Sequence, residues 1–132
     1  MRPKDIGTAA ESAVVKYLRE NGFGNAERRA LRGGNDCGDI TGCGPIVIEV
    51  KAGKAAEGAS DGLVQAWLAE AETERRNARA DVAVLVMKRK GKSGNSAGDW
   101  WAVQRNGFGF PERMLFRHFV HIQRYRGYGD AL

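Results

Sequence analysis

The chain has 132 residues, a length that suits a single domain, residues 1–132, with its own hydrophobic core. Its two cysteines are too few for a secreted disulfide scaffold, and neither a signal-peptide segment nor a run of about 18 apolar residues is present, so we expect a cytoplasmic protein with no membrane partner. The formal net charge of +5 is uneven, because residues 82–132 hold nine Lys and Arg against three Asp and Glu. This excess favours a polyanionic partner such as nucleic acid, with solvated surface charge as the alternative.

The stretch TAAESAVVKYLRENG, which begins at Thr8, has the hydrophobic periodicity of an amphipathic helix that ends at Gly22. Thr8 lies three residues before Glu11, the spacing of a capping box in which the Glu11 carboxylate accepts a hydrogen bond from the Thr8 N–H. Glu11 also shares a stripe with Val15 and Leu18 at the margin of the face that meets the sheet. Both a capping role and a role in a site therefore stay open for Glu11.

The next segments, FGNAERRAL and CGDITGCGPIVIEVKA, are extended runs separated by Gly and Pro, which predicts an antiparallel meander of three strands. Side chains alternate between the two faces of a strand, so Ile46, Ile48 and Val50 point one way while Glu49 and Lys51 point the other. Burying an unpaired charge is costly. The charged pair on this hydrophobic strand therefore indicates either nearby partners or a functional site.

Residues 61–79, DGLVQAWLAEAETERRNAR, have a second helical pattern, and DVAVLVMK is typical of a buried strand. The run RKGKSGNSAGD separates that strand from WWAVQ, which predicts a hairpin with a long mobile tip. Pro111 is expected to begin a last short helix through Phe119, and a basic flexible tail is expected from about residue 120. The order α-β-β-β-α-β-β-α predicts an α/β fold with a mixed sheet flanked by helices.

Two carboxylates come together in this arrangement. Asp39 begins one strand and Glu49 lies near the end of the next, so a hairpin through TGCGP places both at one end of the sheet, with Lys51 beside them. Two carboxylates and a backbone carbonyl suit Mg²⁺ or Mn²⁺, and a neighbouring lysine can orient or help to deprotonate a water molecule, as phosphodiester hydrolysis requires. The alternative is that Asp39 and Glu49 are ordinary strand residues and that Lys51 is a surface ion-pair partner.

The run GDITGCGPIVIEVKAG resembles the motif of the PD-(D/E)XK nucleases, which have the restriction-endonuclease-like fold. The preceding runs GTAAESAVVKYLRENGF and AERRALRGGNDCGDI resemble the N-terminal half of archaeal-type Holliday-junction resolvases and related phage resolvases. In those proteins a helix glutamate, a strand with basic residues, Asp-Ile and Glu-Xaa-Lys follow in this order. The resemblance covers roughly residues 6–88.

The resemblance implies roles for individual residues. The implied catalytic residues are Glu11, Asp39, Glu49, Lys51 and Gln65. The implied metal ligands are Asp39, Glu49, the carbonyl of Val50 and Glu11, with Mg²⁺ as cofactor and Mn²⁺ as a substitute. For Gln65, an ordinary polar position on the helix is the alternative. Gly38 occupies the place of the motif's proline, which leaves Asp36 as a rival ligand.

Basic residues in two places are candidates for binding DNA, although either group could be solvated surface. They are Arg28, Arg29 and Arg32 before the motif, and Lys88, Arg89, Lys90 and Lys92 in the predicted hairpin tip. A zinc site is not favoured, because the spacings of its candidate ligands fit no standard finger. Those candidates are Cys37, Cys43, His118 and His121.

Together these features predict a Mg²⁺-dependent, structure-selective DNA endonuclease that resolves Holliday (four-way) junctions. The resemblance implies products with 5′ phosphates, and the two-fold symmetry of a junction implies a homodimer. Two alternatives stay open. One is a nicking, restriction or repair nuclease of the same fold, and the other is a non-catalytic DNA-binding protein on that fold.

Overall fold

The computed structural model describes residues 2–29 and 38–132, which form an α/β fold with helices on both faces of a six-stranded mixed sheet. The helices are α1 (Pro3–Glu20), α2 (Lys54–Glu57), α3 (Asp61–Ala78) and α4 (Phe116–Tyr125). The strands are β1 (Glu27–Arg28), β2 (Ile40–Thr41), β3 (Ile46–Lys51), β4 (Val82–Met87), β5 (Trp101–Arg105) and β6 (Pro111–Leu115). A 3-10 helix, Gly94–Asp99, lies between β4 and β5. None of the described helices combines the length and hydrophobicity needed to cross a membrane.

The strands lie side by side in chain order, from β1 to β6. The meander of β1, β2 and β3 is antiparallel, as the sequence predicts, although β1 and β2 have only two residues each. β3 and β4 are parallel, with α3 as the crossover between them, whereas β4, β5 and β6 are antiparallel. The parallel pair is therefore in the middle of the sheet, where both of its faces are covered.

Two hydrophobic clusters lie on opposite faces of the sheet. The larger one joins α1, α4 and the 3-10 helix to the sheet, and the smaller one joins α3 to β4 and β5. Ile46, Ile48 and Val50 of β3 belong to the larger cluster. The predicted alternation along β3 is therefore confirmed, and it leaves Glu49 and Lys51 facing α3.

The start of α1 differs from the sequence prediction. The helix begins at Pro3, its N-cap is Arg2, and no side chain caps it. Proline suits the first position of a helix because its φ is already helical and its missing N–H would have no partner there. Thr8 and Glu11 therefore lie inside α1, and the predicted capping box is wrong.

The C-terminal elements also differ from the prediction. Pro111 begins β6, which pairs with β5 from Arg105↔Pro111 to Trp101↔Leu115, and the last helix starts only at Phe116. Proline is tolerated at the first residue of an edge strand, where its missing N–H breaks no ladder. The prediction that Pro111 begins a helix is therefore wrong, and the sheet gains a strand.

Two segments that the sequence predicts to be flexible make contacts with the rest of the protein. β4 and β5 do pair, but Ala97 and Gly98 between them are buried, and Trp100 is 1% exposed with its Nε1 donating to the Lys92 carbonyl at 3.0 Å. Beyond residue 120, α4 continues to Tyr125, and the Asp130 carboxylate accepts the Gly24 N–H at 2.9 Å. Both segments therefore contact the rest of the fold over part of their length, while the mobility of the tip and the flexibility of the tail stay predictions.

The hairpin between β2 and β3 offers a test of close backbone packing. Gly42 and Gly44 both have positive φ, at 84° and 65°, but only at Gly42 would a Cβ clash with the backbone carbonyl of Asn25. We expect Gly44→Ala to lower the free energy of unfolding by about 1 kcal/mol and Gly42→Ala by about 3 kcal/mol. Urea denaturation of the two variants measures the difference. Equal losses of unfolding free energy in the two variants would show that the backbone at Asn25 moves to make room for the Cβ, and would contradict the prediction.

Candidate active site

Asp39 is located just before β2, against the backbone of β3. Its N–H donates to the carbonyl of Ile48 at 2.9 Å, and its Oδ2 accepts the N–H of Val50 at 2.8 Å. Gly38 precedes it with φ of +100°, an angle that glycine adopts and proline cannot. The backbone angle thus gives a physical reason for glycine in the place of the motif's proline, and the hydrogen bonds fix the Asp39 carboxylate on β3.

Glu11 reaches the same region from the middle of α1. Its Oε1 accepts a hydrogen bond from Nε of Arg28 at 3.1 Å, and Nη2 of Arg28 donates to the Thr8 hydroxyl at 3.4 Å. Burial, followed by the negative charge of Asp39, raises the pKa of Glu11, while Arg28 opposes the shift. Glu11 and Asp39 are therefore close enough for their charges to interact.

Glu49 is buried under α3, where its carboxyl meets that of Glu74. The two residues are 6% and 5% exposed. Burial raises the pKa of Glu49 well above its ordinary value of 4.5, and the hydrogen bond with Glu74 and the charge of Asp39 add to the shift, against the opposing charge of Lys51. Two buried carboxyls this close hold a proton between them at neutral pH in the absence of another cation.

Lys51 lies at the margin of this buried pair. Its Nζ is 3.8 Å from Oε1 of Glu49 and 3.4 Å from Oε2 of Glu70 on α3. The ammonium is also 5.5 Å from the centre of the Trp67 ring, within the range of a cation–π interaction. With 27% of its side chain exposed, Lys51 is positioned between the buried Glu49 and solvent, where it can donate a hydrogen bond to an incoming group.

The sequence reasoning missed Glu70 and Glu74. A signal for Glu74 was present, because it lies on the same helical arc as Val64, Leu68 and Ala71, the other buried residues of α3. A carboxylate at a buried helical position indicates a partner in the core. No such signal exists for Glu70, whose side chain is 56% exposed and whose contact with β3 depends on how α3 crosses the sheet.

Gln65 forms its side-chain hydrogen bond with Arg105 on β5. Its Oε1 accepts from Nη1 of Arg105 at 2.7 Å, and its carbonyl oxygen accepts from Nη2 of the same residue at 3.5 Å. Arg105 is on β5, two strands away from Glu49. The structure therefore connects Gln65 to β5 and shows no bond between it and the carboxylates that the motif predicts as its companions.

Two of the three arginines before the motif border the carboxylates. Arg28 binds Glu11, as described above, and the Nε of Arg29 donates to the Gly38 carbonyl at 3.0 Å. The backbone N–H of Arg29 also donates to the carbonyl of Asp39 at 2.8 Å. The third candidate, Arg32, and the rival ligand Asp36 lie outside the described residues.

Three of the four basic residues directly after β4 line a pocket of about 250 Å³. The Lys88 N–H donates to the carbonyl of Lys51 at 3.0 Å, so the pocket begins beside the end of β3. The guanidinium carbons of Arg89 and Arg113 lie 4.3 Å and 5.1 Å from the centre of the Trp101 ring. Other residues that line the pocket include Lys88 and Lys90, whereas Lys92 is not among the lining residues. The pocket holds an excess of positive charge near Lys51.

The donor set fits a hard divalent cation. Within the described residues, no three Asp, Glu, His or Cys side chains already converge on one point. Like-charged carboxylates keep apart without a counter-ion, and carboxylate oxygens are the ligands that a hard divalent cation prefers. Apart from the proton shared with Glu74, no hydrogen-bond donor is found for the buried Oε2 of Glu49 among the described residues. A cation there would replace the proton shared with Glu74.

The candidate zinc ligands lie in different environments. Cys43 is buried in the larger cluster, and burial raises the pKa of its thiol to about 12. His118 and His121 lie exposed on α4. Cys37 lies outside the described residues. A thiol with so high a pKa stays protonated and is a poor metal ligand.

Comparison with protein-family models, with curated proteins and with solved structures gave no match. The nuclease family that the motif resembles therefore stays a prediction for this chain. The chemistry of the site is inferred from its own side chains.

Stability in the absence of metal should depend on the Glu49–Glu74 pair. Because the pKa of Glu49 is raised from 4.5, protonated Glu49 favours the folded state, and this contribution is present below about pH 4.5 and lost as pH rises toward the raised pKa. Glu74→Gln removes a like charge and supplies an amide donor, so we expect a smaller loss of stability between pH 5 and about pH 9 in this variant than in wild type.

The measurement is the free energy of unfolding in urea against pH, with a chelator present. Glu20→Gln, at an exposed position on α1, is the matched control and should follow the wild-type curve. Parallel curves for Glu74→Gln and wild type would contradict the shared-proton interpretation.

Proposed function

We propose that the protein is a metal-dependent DNA endonuclease of the restriction-endonuclease-like fold that resolves four-way junctions. The observation that carries the proposal is that Asp39 raises the pKa of both Glu11 and Glu49, which links three carboxylates electrostatically. Perturbed carboxylates held near one another are typical of functional sites. With Lys51 beside them, they supply the groups that metal-assisted phosphodiester hydrolysis requires.

The arrangement of elements supports the proposed fold. One helix precedes three antiparallel strands, and α3 then leads into a strand parallel to β3. Glu11 lies on the first helix, Asp39 before β2, and Glu49 and Lys51 on β3. This order supports a restriction-endonuclease-like core.

Mg²⁺ or Mn²⁺ would be held by Asp39, Glu49 and the carbonyl of Val50, with Glu11 assisting. The buried Oε2 of Glu49, for which the proton shared with Glu74 is the only compensation found among the described residues, supports this assignment. When bound, the cation would stabilise the negative charge that develops on the phosphate during hydrolysis. The hydrogen bond from the Val50 N–H keeps the Asp39 carboxylate in place before any ligand arrives.

The proposed role of Lys51 is to orient the attacking water molecule. Its ammonium, held beside Glu49 and Glu70, donates a hydrogen bond to the water oxygen. That oxygen forms a bond to phosphorus and releases a proton to solvent, while the bond from phosphorus to the 3′ oxygen breaks. The leaving oxygen takes a proton from solvent, so the products carry a 5′ phosphate and a 3′ hydroxyl.

DNA is the proposed substrate because positive charge lies close to the site. The pocket that contains Lys88, Arg89 and Lys90 begins next to Lys51, so a strand cut at the carboxylates would pass over these side chains. A four-way junction has two-fold symmetry, and a pair of symmetric cuts requires two sites. We therefore propose a homodimer.

A non-catalytic DNA-binding protein is the second candidate. It is favoured by the Glu49–Glu74 pair, in which a shared proton already neutralises one charge without a cation. Incubation of labelled four-way, flap and linear duplex DNAs with Mg²⁺, beside a chelator control, separates the candidates. Binding without cuts supports the second one, whereas cuts in linear duplex equal to those in the junction indicate a nicking, restriction or repair nuclease.

Substitution of the carboxylates by their amides tests the site. Asp39→Asn keeps an oxygen that can accept the Val50 N–H, and Glu49→Gln keeps the shape of the buried side chain, so both variants should fold. We expect both to lose cleavage by at least about 100-fold and to retain DNA affinity, because affinity depends on basic residues. Glu20→Gln is the control and should cut as wild type does. Full activity of Asp39→Asn would contradict the assignment.

The basic pocket is tested by the salt dependence of binding. Loss of two phosphate contacts in the double variant Lys88→Ala/Lys90→Ala should reduce the slope of log affinity against log salt by up to about 1.8. Lys4→Ala/Lys16→Ala removes the same charge from exposed positions on α1 and should leave the slope nearly unchanged. The assay uses a four-way junction in Ca²⁺. A wild-type slope for Lys88→Ala/Lys90→Ala would mean that these two lysines contact water and not DNA phosphates.

A further inference from the structure

The turn between β5 and β6, residues 106–110, presents two phenylalanines to solvent. Phe108 is 88% exposed and Phe110 is 65% exposed. Neither side chain is part of the two hydrophobic clusters. Exposed aromatic rings forfeit the free energy of burial, so two of them together on one turn indicate a surface that binds something.

The turn is held in shape by its own hydrogen bonds. Oδ1 of Asn106 accepts the N–H of Phe108 at 2.9 Å and the N–H of Phe110 at 3.0 Å. The Asn106 N–H donates to the carbonyl of Phe110 at 2.7 Å, and its Nδ2 donates to Oε1 of Glu112 at 3.1 Å. The two rings are therefore presented by an ordered turn, which lowers the entropic cost of using them in binding.

Arg105 braces the turn against α3. Its Nη1 donates to the carbonyl of Gly109 at 3.1 Å and to Oε1 of Gln65 at 2.7 Å. Gln65, which the sequence resemblance places among the catalytic residues, thus supports the aromatic turn in the structure. The bracing connects the two rings to the rigid part of the fold.

We propose that Phe108 and Phe110 stack on bases exposed at the branch point of a DNA substrate; this inference rests on the proposed function. Two phenylalanine side chains can bury about 300–500 Å², well below the roughly 1,200 Å² of a stable protein interface. A nucleic-acid base needs only one ring face to stack on, and every base has such a face. The positive charge of residues 82–132 also suits a nucleic acid better than a hydrophobic partner.

One DNA molecule can reach both the turn and the carboxylates. β6 lies three strands away from β3, and the turn extends beyond the paired ends of β5 and β6. With strands spaced about 4.8 Å apart, the rings lie on the order of 20 Å from Glu49. This is less than one turn of duplex DNA, about 34 Å, so the turn can open or hold a branch point while an adjoining arm lies at the carboxylates.

The experiment measures base stacking without cleavage. A four-way junction carries 2-aminopurine next to the branch point, and a linear duplex carries it at an internal position, both in a chelator. Wild type should increase the fluorescence of the junction and not of the duplex, because inserted rings separate the base from its neighbour. Phe108→Ala/Phe110→Ala should remove this increase and weaken junction binding by about 5-fold to 100-fold, with less than a twofold change for the duplex.

Two further variants separate the possible causes. Phe108→Leu/Phe110→Leu keeps apolar side chains without rings and should lose most of the fluorescence increase. Tyr125→Ala removes another ring, 89% exposed on α4, and should behave as wild type. No dependence on the two phenylalanines, or equal losses for junction and duplex, would overturn the inference, as would a dimer that becomes a monomer in Phe108→Ala/Phe110→Ala.

The outcomes also distinguish this inference from the proposed function. If the protein cuts DNA but the ring substitutions change neither the fluorescence nor the junction affinity, the inference is overturned and the proposed function is not. Fluorescence that depends on the rings in a protein that never cuts with Mg²⁺ supports the inference and contradicts the nuclease assignment. Absence of any DNA binding overturns both.

Discussion

The hydrogen bond from the Val50 N–H to the Asp39 carboxylate connects the two strands on which the site is built. At 2.8 Å it joins the residue before β2 to the end of β3, and Gly38, which precedes Asp39, has a positive φ. Because Asp39 is fixed there, its charge acts on Glu11 from α1 and on Glu49 from β3. This bond therefore fixes the one carboxylate whose charge acts on both of the others.

Burial determines the protonation of the Glu49 carboxyl. Glu49 lies between the parallel centre of the sheet and α3, where an ionised carboxylate is costly, so it shares a proton with Glu74 when no cation is present. At the proposed site, a divalent cation would compensate the carboxylate more strongly than a proton does and would release the proton on binding. Lys51 remains partly exposed at the same place. The fold thus pairs a buried carboxyl of raised pKa with a lysine that solvent can reach.

Local patterns in the sequence predicted the elements whose burial is periodic, and failed where local signals compete or where contacts are distant. The alternation along β3 and the helix after residue 61 follow directly from which side chains are buried. Pro111 was assigned to a helix because proline suits the start of a helix and the start of an edge strand equally well. The partner Glu70 could not be predicted, because its contact with Lys51 depends on the path of α3 across the sheet.

The central claim is that Asp39 and Glu49 form a cation site, and binding of Mn²⁺ to the free protein tests it without reference to DNA or cleavage. Titration of Mn²⁺ followed by electron paramagnetic resonance gives the number of ions bound to each chain. We expect Mn²⁺ to bind wild type, to be displaced by Mg²⁺, and to be lost in Asp39→Asn and in Glu49→Gln, while Glu20→Gln binds as wild type does. Equal binding by wild type and Asp39→Asn, or no binding by wild type, would contradict the account.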